Sequence, residues 1–288
     1  MILFLVKPNR RSLAFHIYRW VAAYGLDLRK TWKAVCFTPG YLAAFFRYKR
    51  LAKSGAPGWP IRLNYPQLAD WGESGGSTSG HYFHQDLYVA RRVHENSPRR
   101  HIDVGSRVDG FVAHVAAFRE IEVIDIRPNV ASAHRIKFSQ CDLMAPPAHM
   151  ENLCDSLSCL HALEHFGLGR YGDPVSPNGY RDGFAGLARL LAPSGILYLS
   201  VPIGTQRIEF NAHRVFSVQT VIELAGPWFS LERFAYVNDD GEFREISIEE
   251  MLSATRDLYY GCGIFEFRKA RTGPLESPEP SASAPPRR

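Results

Sequence analysis

Three histidines and a glutamate carry the first chemical signal in this chain. His161-Ala-Leu-Glu164-His165 sets two imidazoles and a carboxylate within five residues, and His213 follows in Asn211-Ala-His-Arg-Val-Phe-Ser217. An imidazole with an ordinary pKa near 6.5 can take a proton from a reacting hydroxyl at neutral pH, so His161, His165 and His213 are the candidate catalytic bases. The same five residues spell H-x-x-E-H, a zinc-protease signature that needs both histidines one turn apart on a helix. Here they follow an apolar run and stand just before Gly167 and Gly169, which leaves little more than one helical turn. No metal is therefore expected on them.

A second signal lies upstream. Asp103-Val-Gly105-Ser-Arg-Val-Asp-Gly110 follows a short apolar run, and Asp125 closes the next run 20 residues after Gly105. A tight glycine turn, a helix start and an acid at a strand end form the layout of a Rossmann-like ligand site, in which the acid accepts hydrogen bonds from ribose hydroxyls. Where G-x-G-x-x-G needs its second glycine, so that the backbone can approach a pyrophosphate, this chain has Arg107. That disfavours a dinucleotide, while a ligand with ribose and adenine but no phosphate tolerates the change. Asp103 could face an ammonium group on such a ligand or cap the turn with local backbone bonds, and both readings stay open.

These residues sit in a run of motifs: I-D-V-G-S at 102–106, V-I-D-I-R-P at 123–128, C-D-L at 141–143, L-H-A-L-E-H-F at 160–166, L-A-R-L-L-A-P-S-G-I-L-Y-L-S-V-P at 187–202 and N-A-H-R-V-F-S at 211–217. In order and spacing, residues 85–270 resemble the class I S-adenosylmethionine-dependent methyltransferases, and more closely an uncharacterised bacterial branch of that superfamily known only as a domain of unknown function. The resemblance implies S-adenosyl-L-methionine as cofactor. It implies that Gly105 lines the methionine moiety, that Asp125 binds the ribose, and that Asp142 contacts the adenine amino group. The segment from Leu160 through His161 to Glu164 then borders the methyl donor, and Asp103, Ser106, Ile126 and Cys141 complete the implied cofactor contacts. The family's fuller pattern has two further glycines where this chain has Arg107 and Asp109.

The elements that must hold these residues can be read from apolar periodicity. Strands are expected at Arg100–Val104, Ile121–Ile126, Ile136–Phe138, Ser156–Leu160, Ile196–Val201 (closed by Pro202), Phe229–Val237 and Ile264–Phe267. Helices are expected at His84–Glu95, at Gly110–Phe118, at Gly179–Leu191 with a stop at Pro193-Ser-Gly195, and after Ser217 as N-cap. Alternating short apolar runs and helical patterns point to an α/β fold, a Rossmann-like doubly wound and mainly parallel sheet, here with an N-terminal helical extension. The loop Gly167–Asn178 is long enough to serve as a substrate lid.

Composition sets the outer bounds. The chain of 288 residues is 45% hydrophobic and 22% charged, in the range of ordinary globular proteins. No run of about 18 apolar residues is present, and the opening Met-Ile-Leu-Phe-Leu-Val is short and followed, not preceded, by Lys7, Arg10 and Arg11, so neither a membrane span nor secretion is expected. Five cysteines without a C-x-x-C pair fit a reducing cytoplasm. Residues 1–55 hold eleven Lys or Arg against one acid, Asp27, so the remaining chain is net acidic. This basic segment reads as a helical extension broken at Thr38-Pro39-Gly40, followed by a Gly/Pro/Ser-rich linker at 56–84, the main domain at 85–270 and a disordered tail at 271–288. Its aromatics favour packing on the main domain, with peripheral contact to an anionic membrane as the other role open to it. Nucleic acid is not expected as a partner, since no binding motif accompanies the charge.

The function expected on these grounds is methyl transfer from S-adenosylmethionine to a small molecule or glycan, with oxygen as one acceptor atom open to it. Two alternatives stand beside it. One is a non-catalytic scaffold of the same fold, supported by Arg107 and Asp109. The other is a nicotinamide-dependent dehydrogenase, weakened by the missing pyrophosphate glycine.

Overall fold

The apolar runs of the sequence become the middle of a sheet. The computed structural model describes residues 12–53, 59–68, 76, 78–128 and 133–271. The tail beyond Arg271, part of the 56–84 linker, and Lys7, Arg10 and Arg11 of the basic arm lie outside the described residues. Contacts divide the chain into two units, Met1–Ser77 and Thr78–Arg288.

In the first unit, helix α1 (Leu13–Ala23) is capped by Ser12, whose hydroxyl accepts from the Phe15 amide. Helix α2 (Leu28–Ala52) is capped by Asp27 and continues past the expected break at Pro39. A proline inside a helix removes one amide donor and crowds the preceding turn. Here the Thr38 hydroxyl donates to the Ala34 carbonyl at 2.7 Å in that turn. No helix among the described residues is long and apolar enough to cross a membrane.

The second unit opens with helix α3 (His81–Asn96), which buries Tyr88, Val89, Ala90 and Val93. Strand β1 (His101–Val104) follows, then helix α4 (Ala113–Ala116), β2 (Ile121–Asp125), β3 (Ile136–Gln140) and β4 (Cys154–Leu160). Helix α5 (Gly179–Leu190), β5 (Leu191–Ile203), β6 (Arg207–Glu209), β7 (His213–Val215) and α6 (Val218–Ala225) come next. The unit closes with β8 (Phe229–Val237), β9 (Phe243–Ile246), α7 (Met251–Ala254) and β10 (Gly261–Lys269).

Eight strands form one sheet in the order β3-β2-β1-β4-β5-β10-β8-β9, and β6 with β7 forms a separate ribbon. Strands β1 to β5 pair in parallel, whereas β10 runs antiparallel to both β5 and β8, and β9 antiparallel to β8. All four residues of β1 are buried, as expected for a parallel strand covered on both faces. Ile102, Val104 and Ile124 pack with Phe184 and Leu187 of α5 on one face. Ile121 and Val123 pack with Val89 and Val93 of α3 and with Phe111 and Val115 on the other. This is the expected doubly wound architecture. Strand order reverses between β1 and β4, and ligands of open α/β sheets bind at that reversal, beyond the carboxyl ends of the strands.

Several local outcomes differ from the sequence expectation. The helix expected over Gly110–Phe118 begins as a wide turn over Val108–Val112 and is kinked at Gly110 (φ −119°, ψ −111°). A Cβ on Gly110 would lie 2.6 Å from the Asp86 carboxylate, so the kink brings the backbone against that side chain. Strand β5 does not stop at Pro202 but continues to Ile203. Its last β4 partner is Ser200, so Pro202 lies past the parallel ladder, where its missing amide costs no bond to β4. The Pro193-Ser-Gly195 stop ends α5 and becomes a register shift in β5. Ser217 caps α6 as expected, accepting from the Thr220 amide at 3.1 Å.

The two margins of the large sheet are short and charged. On β3, Lys137 pairs with Glu120 at 2.8 Å. On β9, Arg244 pairs with Glu242 at 3.2 Å, and Glu245 accepts from the Tyr88 hydroxyl at 2.9 Å.

Candidate functional site

A cavity of about 400 Å³ opens at the carboxyl ends of β1, β2 and β4. Of the expected cofactor residues, Gly105, Ser106, Asp125, Ile126, Cys141, Asp142, Leu160 and His161 line it. Gly105 takes φ +71°, a conformation glycine adopts without strain, and a Cβ there would come within 2.9 Å of Ala162 Cβ. Its amide donates to the Ile124 carbonyl at 2.9 Å, so the turn continues the β1–β2 ladder up to the cavity wall.

Asp125 ends β2 with its carboxylate gripped by Arg127. The Arg127 amide donates to Oδ1 at 2.8 Å, and the guanidinium reaches both oxygens at 3.0 and 2.5 Å. The same guanidinium lies 4.5 Å from the Tyr171 ring centroid, which ties this acid to the loop after β4. Asp142 accepts from the Met144 amide at 2.9 Å, so one of its oxygens shapes the turn after β3.

Asp103 is the exception among the expected cofactor residues. Its side chain is fully buried beneath the turn, accepting from the Ser106 amide at 3.1 Å, the Ser106 hydroxyl at 2.8 Å and the Ser158 hydroxyl at 2.5 Å. Of the two readings the sequence left open, the geometry supports the cap and not a carboxylate facing a ligand. Burial pushes its pKa up to about 7 against the opposing effect of these hydrogen bonds.

The histidines divide. His161 and His165 line the cavity, and His213 does not. His161 follows β4 with φ +50°, its amide donating to the Ser200 carbonyl at 3.0 Å. Its Nδ1 lies 2.7 Å from Glu164 Oε1. Burial would lower its pKa, but the Cys262 sulfur and the Glu164 carboxylate outweigh burial and hold the imidazole above its ordinary value. His165 donates from Nδ1 to the Ala212 carbonyl at 2.7 Å, which leaves Nε2 as the basic nitrogen. Burial keeps its pKa below the usual imidazole value, so the ring is neutral and able to accept a proton. His213, on β7, packs 5.1 Å from the Tyr260 ring, and burial pulls its pKa down to about 4.

The H-x-x-E-H segment forms only a short 3-10 turn over Leu163–His165, so its histidines do not share a helix face. Arg107 and Asp109, at the two positions where the fuller motif pattern has glycines, pair with each other at 2.7 Å with both side chains largely exposed. The cavity remains open beside them.

Sequence reasoning missed the wall supplied by α3, where Tyr82, Gln85 and Asp86 line the cavity. Gln85 accepts from the Ser200 hydroxyl at 2.5 Å and donates to Asp86 at 3.1 Å. Burial raises the Asp86 pKa above the ordinary carboxylate value. It also missed how firmly the loop after β4 is held. Asp173 accepts from the amides of Gly167, Gly169 and Tyr171 at 2.8 to 3.1 Å. Arg214, only 4% exposed, donates to the carbonyls of Glu164, Phe166, Ser176 and Pro177 at 2.6 to 3.4 Å.

No curated protein matches the chain. Among solved structures it is similar to the N-methyltransferase NodS from Bradyrhizobium japonicum WM9 in complex with S-adenosylhomocysteine, at 16% identity over 77% of this chain and 97% of that one, with a TM-score of 0.45. It is similar to 1,6-didemethyltoxoflavin-N1-methyltransferase from Burkholderia thailandensis at 15% identity, covering 81% of this chain and 91% of that one, with a TM-score of 0.45. A third similarity is to phospholethanolamine N-methyltransferase 2 from Haemonchus contortus, at 12% identity, covering 70% of this chain and 56% of that one, with a TM-score of 0.47. The expected branch was bacterial; the family model that matches, over residues 119–246, is described as Caenorhabditis protein of unknown function, DUF268.

Proposed function

We propose that the chain is an S-adenosylmethionine-dependent methyltransferase acting on a hydroxyl of a small molecule or glycan. The observation that carries this reading is the convergence of the Gly105 turn, the Asp125 carboxylate and the His165 imidazole on one cavity at the reversal of strand order. The residues suit the cofactor: the turn lacks a Cβ where one would come within 2.9 Å of Ala162, and a strand-end carboxylate that accepts two guanidinium donors can also accept ribose hydroxyls. The cofactor, when bound, supplies an activated methyl group. Gly105 and Ser106 hold its amino-acid end and Asp125 its ribose, while Tyr82 and Phe166 line the same cavity and limit its water. His165, oriented by the Ala212 carbonyl, takes the acceptor's proton on Nε2. Orientation within the cavity supplies the remaining acceleration.

Calorimetric titration tests the reading. S-adenosylhomocysteine is expected to bind and NAD not to bind, and Asp125→Ala is expected to weaken S-adenosylhomocysteine at least about tenfold, since charge-assisted hydrogen bonds contribute roughly 1.5–3 kcal/mol. Binding of NAD alone would support the dehydrogenase, and binding of neither the scaffold. Release of S-adenosylhomocysteine against a panel of hydroxylated sugars and phenols then tests the base. For any acceptor turned over, His165→Gln is expected to slow transfer by roughly 100-fold or more while leaving S-adenosylhomocysteine affinity intact. A variant that keeps its rate removes His165 from this role.

A further inference from the structure

Beside the cavity, three elements far apart in sequence bring together two imidazoles and a thiol. His81 begins α3, His161 follows β4 and Cys262 is the second residue of β10. His81 Nδ1 and His161 Nε2 are 3.2 Å apart, and one donor atom from each of the three residues lies within 4.8 Å of the others. Around a tetrahedral zinc ion, nitrogen ligands stand about 3.3 Å apart and nitrogen and sulfur ligands about 3.6 Å apart, from bond lengths of roughly 2.0–2.1 and 2.3 Å. The trio therefore needs only a small closure to reach a ligating arrangement.

We propose that His81, His161 and Cys262 form a site for a borderline divalent metal, zinc above all, with a fourth position left open. Two imidazoles and a thiolate are the donor set that selects zinc or cobalt over magnesium or calcium. His161 is oriented for the role: Glu164 Oε1 accepts from its Nδ1 at 2.7 Å, which turns Nε2 toward His81 and Cys262 and makes it the nitrogen that would give up its proton to a metal. A carboxylate behind a ligating histidine is the usual second layer of such sites. Cys262 is fully buried in β10 between β5 and β8, and its main chain cannot drift from the other two ligands. His81 is only half-buried, which leaves an approach from solvent. This trio differs from the one suggested by the H-x-x-E-H spacing. His165 is bonded to the Ala212 carbonyl, Glu164 stands behind a ligand instead of ligating, and only His161 is shared.

The experiment uses the full chain, stripped with a chelator and titrated with Co²⁺ and Zn²⁺ alone, without cofactor or acceptor. About one equivalent of Co²⁺ is expected to give a thiolate charge-transfer band and intense visible bands of tetrahedral cobalt, and Zn²⁺ is expected to displace it. Cys262→Ser is expected to abolish the charge-transfer band, and His81→Ala to weaken Zn²⁺ at least about tenfold with an unchanged circular dichroism spectrum. Glu164→Gln is expected to retain one equivalent but to weaken it by roughly 10- to 100-fold. The proposal is overturned if the stripped chain takes up neither metal, or if the band survives in Cys262→Ser. It is overturned equally if folded His81→Ala binds Zn²⁺ as tightly as the parent. Because the readout is metal binding, its failure leaves the cofactor reading untouched.

Discussion

Replacing Asp103 by asparagine is expected to make stability rise more steeply with pH between about 4 and 6.5 than it does in the native chain. Asp103 is fully buried, and its pKa is pushed up to about 7, well above the roughly 3.9 of an unfolded aspartate. Between about pH 4 and 7 the folded state therefore holds a proton that the unfolded state has released, and stability falls as pH rises through this window. His101, two residues earlier on the same strand, is buried as well, and burial pulls its pKa down to about 3. Between about pH 3 and 6.5 the unfolded state binds a proton that the folded state lacks, so this contribution rises with pH. Each slope reaches about 1.4 kcal/mol per pH unit, and the two oppose each other across the shared window.

Ser158 links the pair, its hydroxyl lying 3.2 Å from His101 Nε2 and 2.5 Å from Asp103 Oδ1. An asparagine at 103 keeps an acceptor for the Ser106 amide and removes the titration. The opposing Asp103 slope is then gone, and the variant should gain roughly 3 kcal/mol relative to wild type between pH 4 and 6.5. Urea unfolding at pH 4.5, 5.5 and 6.5 measures this directly. Parallel profiles for the two proteins would mean that the two shifts do not offset each other.

Arg214→Leu should cause a large loss of stability. The guanidinium is the common donor for four carbonyls drawn from both ends of the loop after β4, and it lies 5.1 Å from the Tyr180 ring centroid. Leucine keeps much of the packing volume and supplies no donor. The Glu164 carbonyl is buried and the other three are part-buried; a buried carbonyl left without a partner costs about 1–3 kcal/mol, the part-buried ones cost less because water can reach them, and the expected total is roughly 3–5 kcal/mol. A thermal melt gives the size, and protease cleavage within 166–178 gives the location. Arg214→Lys, with one ammonium in place of a fork, should fall between the two. A leucine variant within about 1 kcal/mol of wild type, with an uncut loop, would show that the carbonyls find other donors.

What could be read from the sequence was what local pattern specifies. The parallel strands are continuous apolar runs because both of their faces are covered, and the Gly105 turn with Asp125 at the next strand end has a fixed spacing that topology preserves. Ser217 announced its helix because a hydroxyl before an apolar stripe satisfies amides that would otherwise lack partners. Contacts made across the fold were not legible. The polar face of α3 looks like solvent surface in sequence, yet Gln85 and Asp86 are buried against the cavity. Strands β6, β7 and β9 have three or four residues, too few to show a period. Nothing local to Arg214 marks it as a buried donor, and only the closure of β7 against the loop after β4 places its guanidinium among those carbonyls. Pro39 and Pro202 misled for the converse reason, since each is tolerated by a neighbourhood that a rule about single residues does not include.

The charged margins of the sheet bear on how the molecule behaves when crowded. An extended segment from another copy could add to β3 or β9 only by laying its backbone beside Lys137 and Glu120, or beside Arg244 and Glu245, and by taking those ions out of water. That desolvation opposes the few backbone hydrogen bonds that strands of five and four residues could offer. Among the described residues, side-chain charge at the two borders thereby opposes templated growth of the sheet. Substitutions that neutralise Lys137 or Arg244 should favour self-association at high concentration before they alter the fold of the chain.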